Sequence, residues 1–213
     1  MRSITKDYIE KFLRKHPEMA YLKENIEKAL EILLESVKAN KIMTVGNGGS
    51  AADAEHISGE LLKSFMMKRT IPVQLRKAIR DAYGAEGERI VANLQVGIKC
   101  IPLVSFSSYM TAYLNDCDEQ LVYAQLVNAL GEKGDVLIAI STSGNSKNVV
   151  YAVQVAKVLG IKVLALTGET GGKLKEYADV LLNVPSKITY KIQEMHLPLY
   201  HLLCMCLESE LFD

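Results

Sequence analysis

The sequence predicts an α/β protein, a three-layer α/β/α sandwich around a five-stranded parallel sheet. Five short apolar runs, at 42–45, 101–106, 136–140, 163–167 and 180–184, read as strands. Helical stretches alternate with them, and that alternation calls for a parallel sheet covered on both faces. A chain of 213 residues that is 49% apolar can bury a sizeable core in one domain, with or without a helical arm.

Residues 1–40 read as that arm. Ile9, Phe12 and Leu13 form a short stripe that ends near Pro17. Ile26, Leu30, Leu33, Leu34 and Val37 then recur at helical spacing with Lys and Glu between them. This second stripe needs a covering surface, and a partner subunit is the expected one. From residue 41 the strands take over, separated by helices predicted at 51–67, 120–130, 146–159 and 172–177, with a last helix over 188–210. Most connections are short. The exception is 67–100, polar and Gly-containing at GAEGE, with helical patches at 73–83 and 86–95. It reads as an insertion, so that 41–213 forms one domain with an insertion at about 67–100. Pro198 inside the last helix removes the hydrogen bond to the Glu194 carbonyl and predicts a kink there.

Charge and composition exclude several classes of function. Lys plus Arg number 25 and Asp plus Glu 25, with a pI near 6.9. A balanced chain has no general grip on nucleic acid or on an acidic membrane, and neither partner is expected. The purest apolar run, 136–140, falls far short of the roughly 18 residues that a membrane span needs. The N-terminal stretch MRSITKDYIEKFLRKHPE carries charges where a secretion signal would be apolar. Cys100, Cys117, Cys204 and Cys206 lack disulfide-framework or zinc-ribbon spacing, so reduced thiols and a cytoplasmic location are expected.

Ligands of open parallel sheets bind beyond the carboxyl ends of the strands. That singles out three loops: GNGGS at 46–50, SSYMTAYLND at 107–116 and STSGNS at 141–146. The first lies between a strand and a helix, and Gly46, Gly48 and Ala51 satisfy a loose G-x-G-x-x-A dinucleotide pattern. The acidic residue such a site wants about 20 positions later is missing. Nucleotide binding and a bare turn both stay open on this motif alone. STSGNS says more. Ser141, Thr142, Ser143 and Ser146 set four hydroxyls around a helix start with no lysine, which suits a phosphate monoester. The alternative is a Ser-rich turn in which Ser146 caps the helix.

His56 and Glu60 lie four apart on one helix face; Gln193 and His201 lie eight apart on the last helix. Such residues could share a zinc ion or be ordinary surface and capped-core groups. His196 reads as supporting or structural, Cys204 and Cys206 as buried small hydrophobes, and Lys63 and Lys68 as solvated.

Taken together, GNGGS, DAEH with Glu60, Asn115-Asp116, GDVLIAISTSGNSKNV, LALTGETGGKL and KIQEMH resemble the sugar isomerase (SIS) domain family, and within it the phosphoheptose isomerases. The likeness spans the chain outside 67–100. It implies a flavodoxin-like SIS fold in a cytoplasmic homotetramer, with active sites at subunit interfaces and the N-terminal helices used in assembly. It further implies Zn²⁺ and an aldose–ketose interconversion, sedoheptulose 7-phosphate to D-glycero-D-manno-heptose 7-phosphate. By position, the family's metal ligands fall on His56, Glu60, Gln193 and His201, and its acid/base pair on Glu60 and His201. Its phosphate contacts fall on Ser141, Thr142, Ser143 and Ser146. Its other substrate contacts fall on Asn47, Gly48, Gly49, Ser50, Asn115, Asp116 and Gln193. A non-catalytic relative in the superfamily partners the bacterial replication initiator, a regulatory or scaffold alternative; the presence of Glu60 and His201 favours the isomerase. This chain departs from the pattern at Tyr190, where an acid usually stands, at Pro198, and in the length of 67–100.

Overall fold

The computed structural model describes residues 1–212. In chain order the elements are α1 (Ser3–Lys15), α2 (Lys23–Ser36), β1 (Ile42–Val45), α3 (Gly49–Leu62), α4 (Val73–Asn93), β2 (Cys100–Pro102), α5 (Ser107–Asp116), α6 (Val122–Leu130), β3 (Val136–Ser141), α7 (Lys147–Val158), β4 (Lys162–Thr167), β5 (Val180–Asn183) and α8 (Thr189–Phe212). Short 3-10 turns fill several of the joints. All four strand pairings are parallel and the order is β2-β1-β3-β4-β5.

Every residue of β1 and β3 is buried. Side chains alternate across the pleat, so each central strand feeds two cores. Ile42, Val136, Ile138, Ile140, Leu164 and Leu166 face the layer built by α1, α2, α3 and α8. Met43, Val45, Leu137, Ala139, Val163 and Ala165 face the layer built by α6 and α7. The chain runs from β1 outward to β2, then returns past β1 to β3. The order therefore reverses between β1 and β3, and the loops after these two strands flare apart there.

Several expectations change in the structure. The α2 stripe is covered within the chain: Ile26, Leu30 and Leu33 are at most 2% exposed, in the core shared with α8 and the sheet. No second subunit is needed to bury it. The second strand is shorter than 101–106, because the chain coils into a 3-10 turn at Leu103–Ser105. Helix α3 stops at Leu62 rather than 67, where Lys63 turns extended. The stretch 107–116, read as a loop, is helix α5. None of its residues is fully buried, but Tyr109, Met110 and Tyr113 pack from one face against the core on the α6 and α7 side, and Tyr109 donates to the Val122 carbonyl at 2.8 Å. The 172–177 helix is a 3-10 turn at Gly172–Glu176. Helix α8 continues through Pro198 to Phe212. Cys204 and Cys206 are buried free thiols. Among the described residues, no helix is long and apolar enough to cross a membrane.

The stretch read as an insertion folds as a helical hairpin. Gly84 (φ 51, ψ −122) breaks α4 into two arms, a conformation that side-chain-bearing residues rarely take. The second arm lies tight on the first: a Cβ at Gly87 would sit 2.5 Å from the Ile79 carbonyl oxygen. An antiparallel bridge between Thr70 and Gln95 closes its base.

That base is anchored by a buried ion pair. Glu208 on α8 and Arg69 are both 0% exposed at the side chain and meet at 2.7 Å. Glu208 also accepts from the backbone N–H groups of Phe65, Met66 and Met67. Arg69 donates onward to the Leu61 carbonyl at 2.7 Å and the Glu60 carbonyl at 3.4 Å, capping the end of α3. Removing one partner leaves the other charge buried and unpaired. Arg69→Ala is therefore expected to lower the unfolding free energy by about 3–5 kcal/mol in urea titrations; a loss below about 1 kcal/mol would show that the pair contributes no more than a surface contact.

Candidate active site at the β1/β3 switch point

The loops after β1 and β3 form a cleft of ≈ 330 Å³ lined by Asn47, Gly48, Gly49, Ser50, Ser141, Thr142, Ser146, Thr189 and Gln193. No charged side chain lines it. Neither α3 nor α7 has a side-chain cap at its start. The capping alternative for Ser146 fails, because its hydroxyl pairs with that of Ser141 at 3.0 Å. Two helix starts, with their positive dipole ends, thus serve a cleft walled by hydroxyls and amides, which is a setting for an anion. The two loops are tied together by a reciprocal amide pair, Asn47 with Asn148, at 2.9 and 3.1 Å. Asn148 lies two residues past STSGNS, and its pairing with Asn47 is set by the fold rather than by spacing.

Gln193 reaches this cleft from α8. Its amide lies so close to Gly49 that a Cβ there would sit 2.3 Å from Nε2. A side chain at 49 would therefore displace the Gln193 amide from its present place in the cleft. Ser143, expected with the phosphate group, is exposed at the loop tip, where its hydroxyl accepts from Asn145 N–H at 3.1 Å. Asn115 and Asp116 end the exposed helix α5 and bond to each other at 2.8 Å. They are not in the lining of the serine cleft.

The second cluster joins α3 to α8. His56 Nε2 stands 3.3 Å from Glu60 Oε1 and 3.4 Å from His201 Nε2. Lys63, expected to be merely solvated, donates to Glu60 Oε2 at 2.8 Å. Burial pushes the Glu60 carboxyl up, but the Lys63 hydrogen bond and charge and the two histidines outweigh it and hold the group below its ordinary value. Burial and the neighbouring His56 push His201 below its ordinary value, against the pull of Glu60. The centre therefore pairs an ionised carboxylate with a neutral imidazole near neutral pH.

Among the described residues, no three His, Cys, Asp or Glu side chains close into a complete metal-holding group. The donors nonetheless suit zinc in kind and along two edges. Ligand atoms about 2.0–2.1 Å from a tetrahedral ion stand about 3.3–3.4 Å from one another, the separations His56 makes to Glu60 and His201. Gln193, expected as a fourth ligand, lies with the serines and makes no hydrogen bond to the histidines.

His196 supports the cleft from below. It is 0% exposed, with Nε2 3.2 Å from the Thr167 carbonyl oxygen at the end of β4 and Nδ1 without a partner.

The family model described as SIS domain matches residues 7–81 and 96–168. The chain belongs to the SIS domain family. The stretch that the SIS model passes over, 82–95, lies in the hairpin, chiefly its second arm. A phosphoheptose isomerase from Helicobacter pylori (strain P12) is 39% identical over 208 residues, covering 95% of each chain. A solved phosphoheptose isomerase from Neisseria gonorrhoeae superposes with a TM-score of 0.73 at 35% identity, covering 96% of each chain. One from Francisella tularensis gives 0.75 at 29% identity, covering 98% of this chain and 100% of that one.

Burial drives the His196 pKa down to about 4, the Thr167 carbonyl opposing. The folded value lies below the unfolded one near 6.5, so the neutral ring costs nothing above pH 6.5 and acid increasingly favours unfolding. Between pH 7 and 4 the wild type should lose roughly 3 kcal/mol more stability than His196→Leu, measured by urea titration across pH. Parallel profiles would show that His196 is not held neutral.

Proposed function

We propose that this SIS-family protein is an aldose–ketose isomerase acting on a seven-carbon sugar phosphate, interconverting sedoheptulose 7-phosphate and D-glycero-D-manno-heptose 7-phosphate. Relatives named phosphoheptose isomerase over nearly the whole chain support it. The observation that carries it is the division of labour along α8. Gln193 lies in an uncharged, hydroxyl-lined cleft, and His201, about 12 Å further along the helix axis, lies beside His56 and Glu60. That spacing is comparable with the length of an extended sugar phosphate.

The phosphate docks against Ser141, Thr142 and Ser146 and the starts of α3 and α7. Anchoring one end places C1 and C2 at the far cluster and converts positioning into rate. Glu60, held ionised, removes the carbon-bound proton from one carbon and returns it to the other. His201, held neutral, carries the proton between the two sugar oxygens as the carbonyl and hydroxyl exchange places. His56, Glu60 and His201 would hold a zinc ion, which when bound supplies a Lewis acid for the negative charge developing on those oxygens. The same reading includes a homotetramer with sites near subunit interfaces, consistent with a His56 side chain left 42% exposed.

The test is exchange in D₂O followed by NMR, with ketose phosphates of five, six and seven carbons. Deuterium should enter at C1 of sedoheptulose 7-phosphate as the aldose appears. Glu60→Gln should lose about 10²–10⁴ in rate while still binding the substrate, and chelator treatment should abolish turnover. Unchanged exchange in Glu60→Gln would remove it as the base.

A further inference from the structure

Tyr200 takes no part in the chemistry above, yet it touches the centre of the site. It is 1% exposed and precedes His201 on α8. Its hydroxyl lies 3.2 Å from Asp53 Oδ1 and 2.9 Å from His56 Nδ1. Its ring meets that of His56 edge-on, at 74° and 5.5 Å between centroids. The other carboxylate oxygen, Asp53 Oδ2, is buried without a hydrogen-bond partner. Asp53 and His56 are three apart on α3 and share a face, so one carboxylate and one imidazole are bridged by a phenol from the opposing helix.

We infer that Tyr200 and Asp53 are positioning residues that fix the tautomer and aim of His56, turning the bare Nε2 of its ring toward Glu60 and His201. The hydroxyl has one proton and an ionised carboxylate can only accept. The proton is therefore given to Asp53 Oδ1. The phenol oxygen is left to accept, and its remaining neighbour is His56 Nδ1, which must carry the ring hydrogen and donate it. A neutral imidazole protonated at Nδ1 has its lone pair at Nε2. That nitrogen stands 3.3 Å from Glu60 Oε1 and 3.4 Å from His201 Nε2. The opposite tautomer would aim an N–H into the cluster and leave no lone pair there for a cation. Because Tyr200 and His201 are consecutive, α8 supplies both the bridge behind His56 and the imidazole in front of it. The chain from His56 through Tyr200 to Asp53 is thus a support built across two helices, and it deepens the reading of this cluster as the reacting centre on which it rests.

The test is a histidine side-chain ¹H–¹⁵N correlation spectrum of the metal-free, full-length protein at a pH where His56 is neutral. The wild type should show His56 protonated at Nδ1 and bare at Nε2. Tyr200→Phe should populate the other tautomer and weaken zinc binding ten- to hundred-fold in chelator competition, with the His196 signals unmoved as the control for an intact core. Asp53→Asn, whose amide can donate to the phenol oxygen, should release the tautomer in the same way and serves if Tyr200→Phe does not fold. A wild-type His56 protonated at Nε2, or variants that keep the wild-type tautomer and zinc affinity, would overturn the inference. A wild type with the Nδ1 tautomer and no zinc affinity would uphold the support and overturn the metal reading instead.

Discussion

Glu208 has no solvent exposure and holds together the parts of the molecule that carry its chemistry. It takes hydrogen bonds from three consecutive backbone N–H groups and from Arg69, and Arg69 passes the restraint on to the Glu60 and Leu61 carbonyls. One carboxylate on α8 thereby fixes where α3 ends and where the hairpin begins. His56 and Glu60 lie on α3, and His201 lies two turns before Glu208 on α8. The end of α3 that carries Glu60 is thus tied to α8 by a pair of buried charges outside the reacting centre. Such a pair is expensive to desolvate and stabilises only while complete; here it specifies the register of two helices.

The sheet supplies the other half of the site. With β1 and β3 adjacent and their connections leaving in opposite directions, the loops after them have room for a ligand. Neither of the helices that follow has a side-chain cap from its N-cap residue, and the positive ends of both dipoles lie at the cleft. Helix α8 crosses from this cleft, where the Gln193 amide lies against Gly49, to the histidine cluster, and Glu208 ties down its far end. Helices α3 and α8 both run from the anchoring cleft to the reacting centre, which holds the two at a fixed separation as positional catalysis requires.

Much of this was legible in the sequence because burial on both faces leaves a plain apolar signature. The runs at 42–45, 136–140, 163–167 and 180–184 each fall within a residue or so of the observed strands. The break in the hairpin was legible too, because GAEGE places Gly84 between two helical patches. Helix α5 was not, since its apolar face, Tyr109, Met110 and Tyr113, is short and only partly buried. The α2 stripe was correctly read as apolar, but the surface that covers it is α8 and the sheet, and periodicity does not name a partner. His56, Glu60 and His201 do come together, whereas Gln193 lies with the serines and Asn115-Asp116 stay on α5. Arg69, Glu208, Asp53 and Tyr200 escaped notice for a shared reason. A charged or phenolic residue that is buried looks in sequence like one on the surface, and only its distant partner distinguishes them.

The central claim is that a phosphate held between the β1 and β3 loops places the sugar's reacting carbons at the His56–Glu60–His201 cluster. The most direct measurement is a crystal structure of the zinc-soaked Glu60→Gln variant with sedoheptulose 7-phosphate, recorded with anomalous data at the zinc edge. The account predicts phosphate density against Ser141, Thr142 and Ser146, with C1 and C2 beside His201 and an anomalous peak at the two histidines. Phosphate bound elsewhere, or a sugar chain running away from α8, would contradict it.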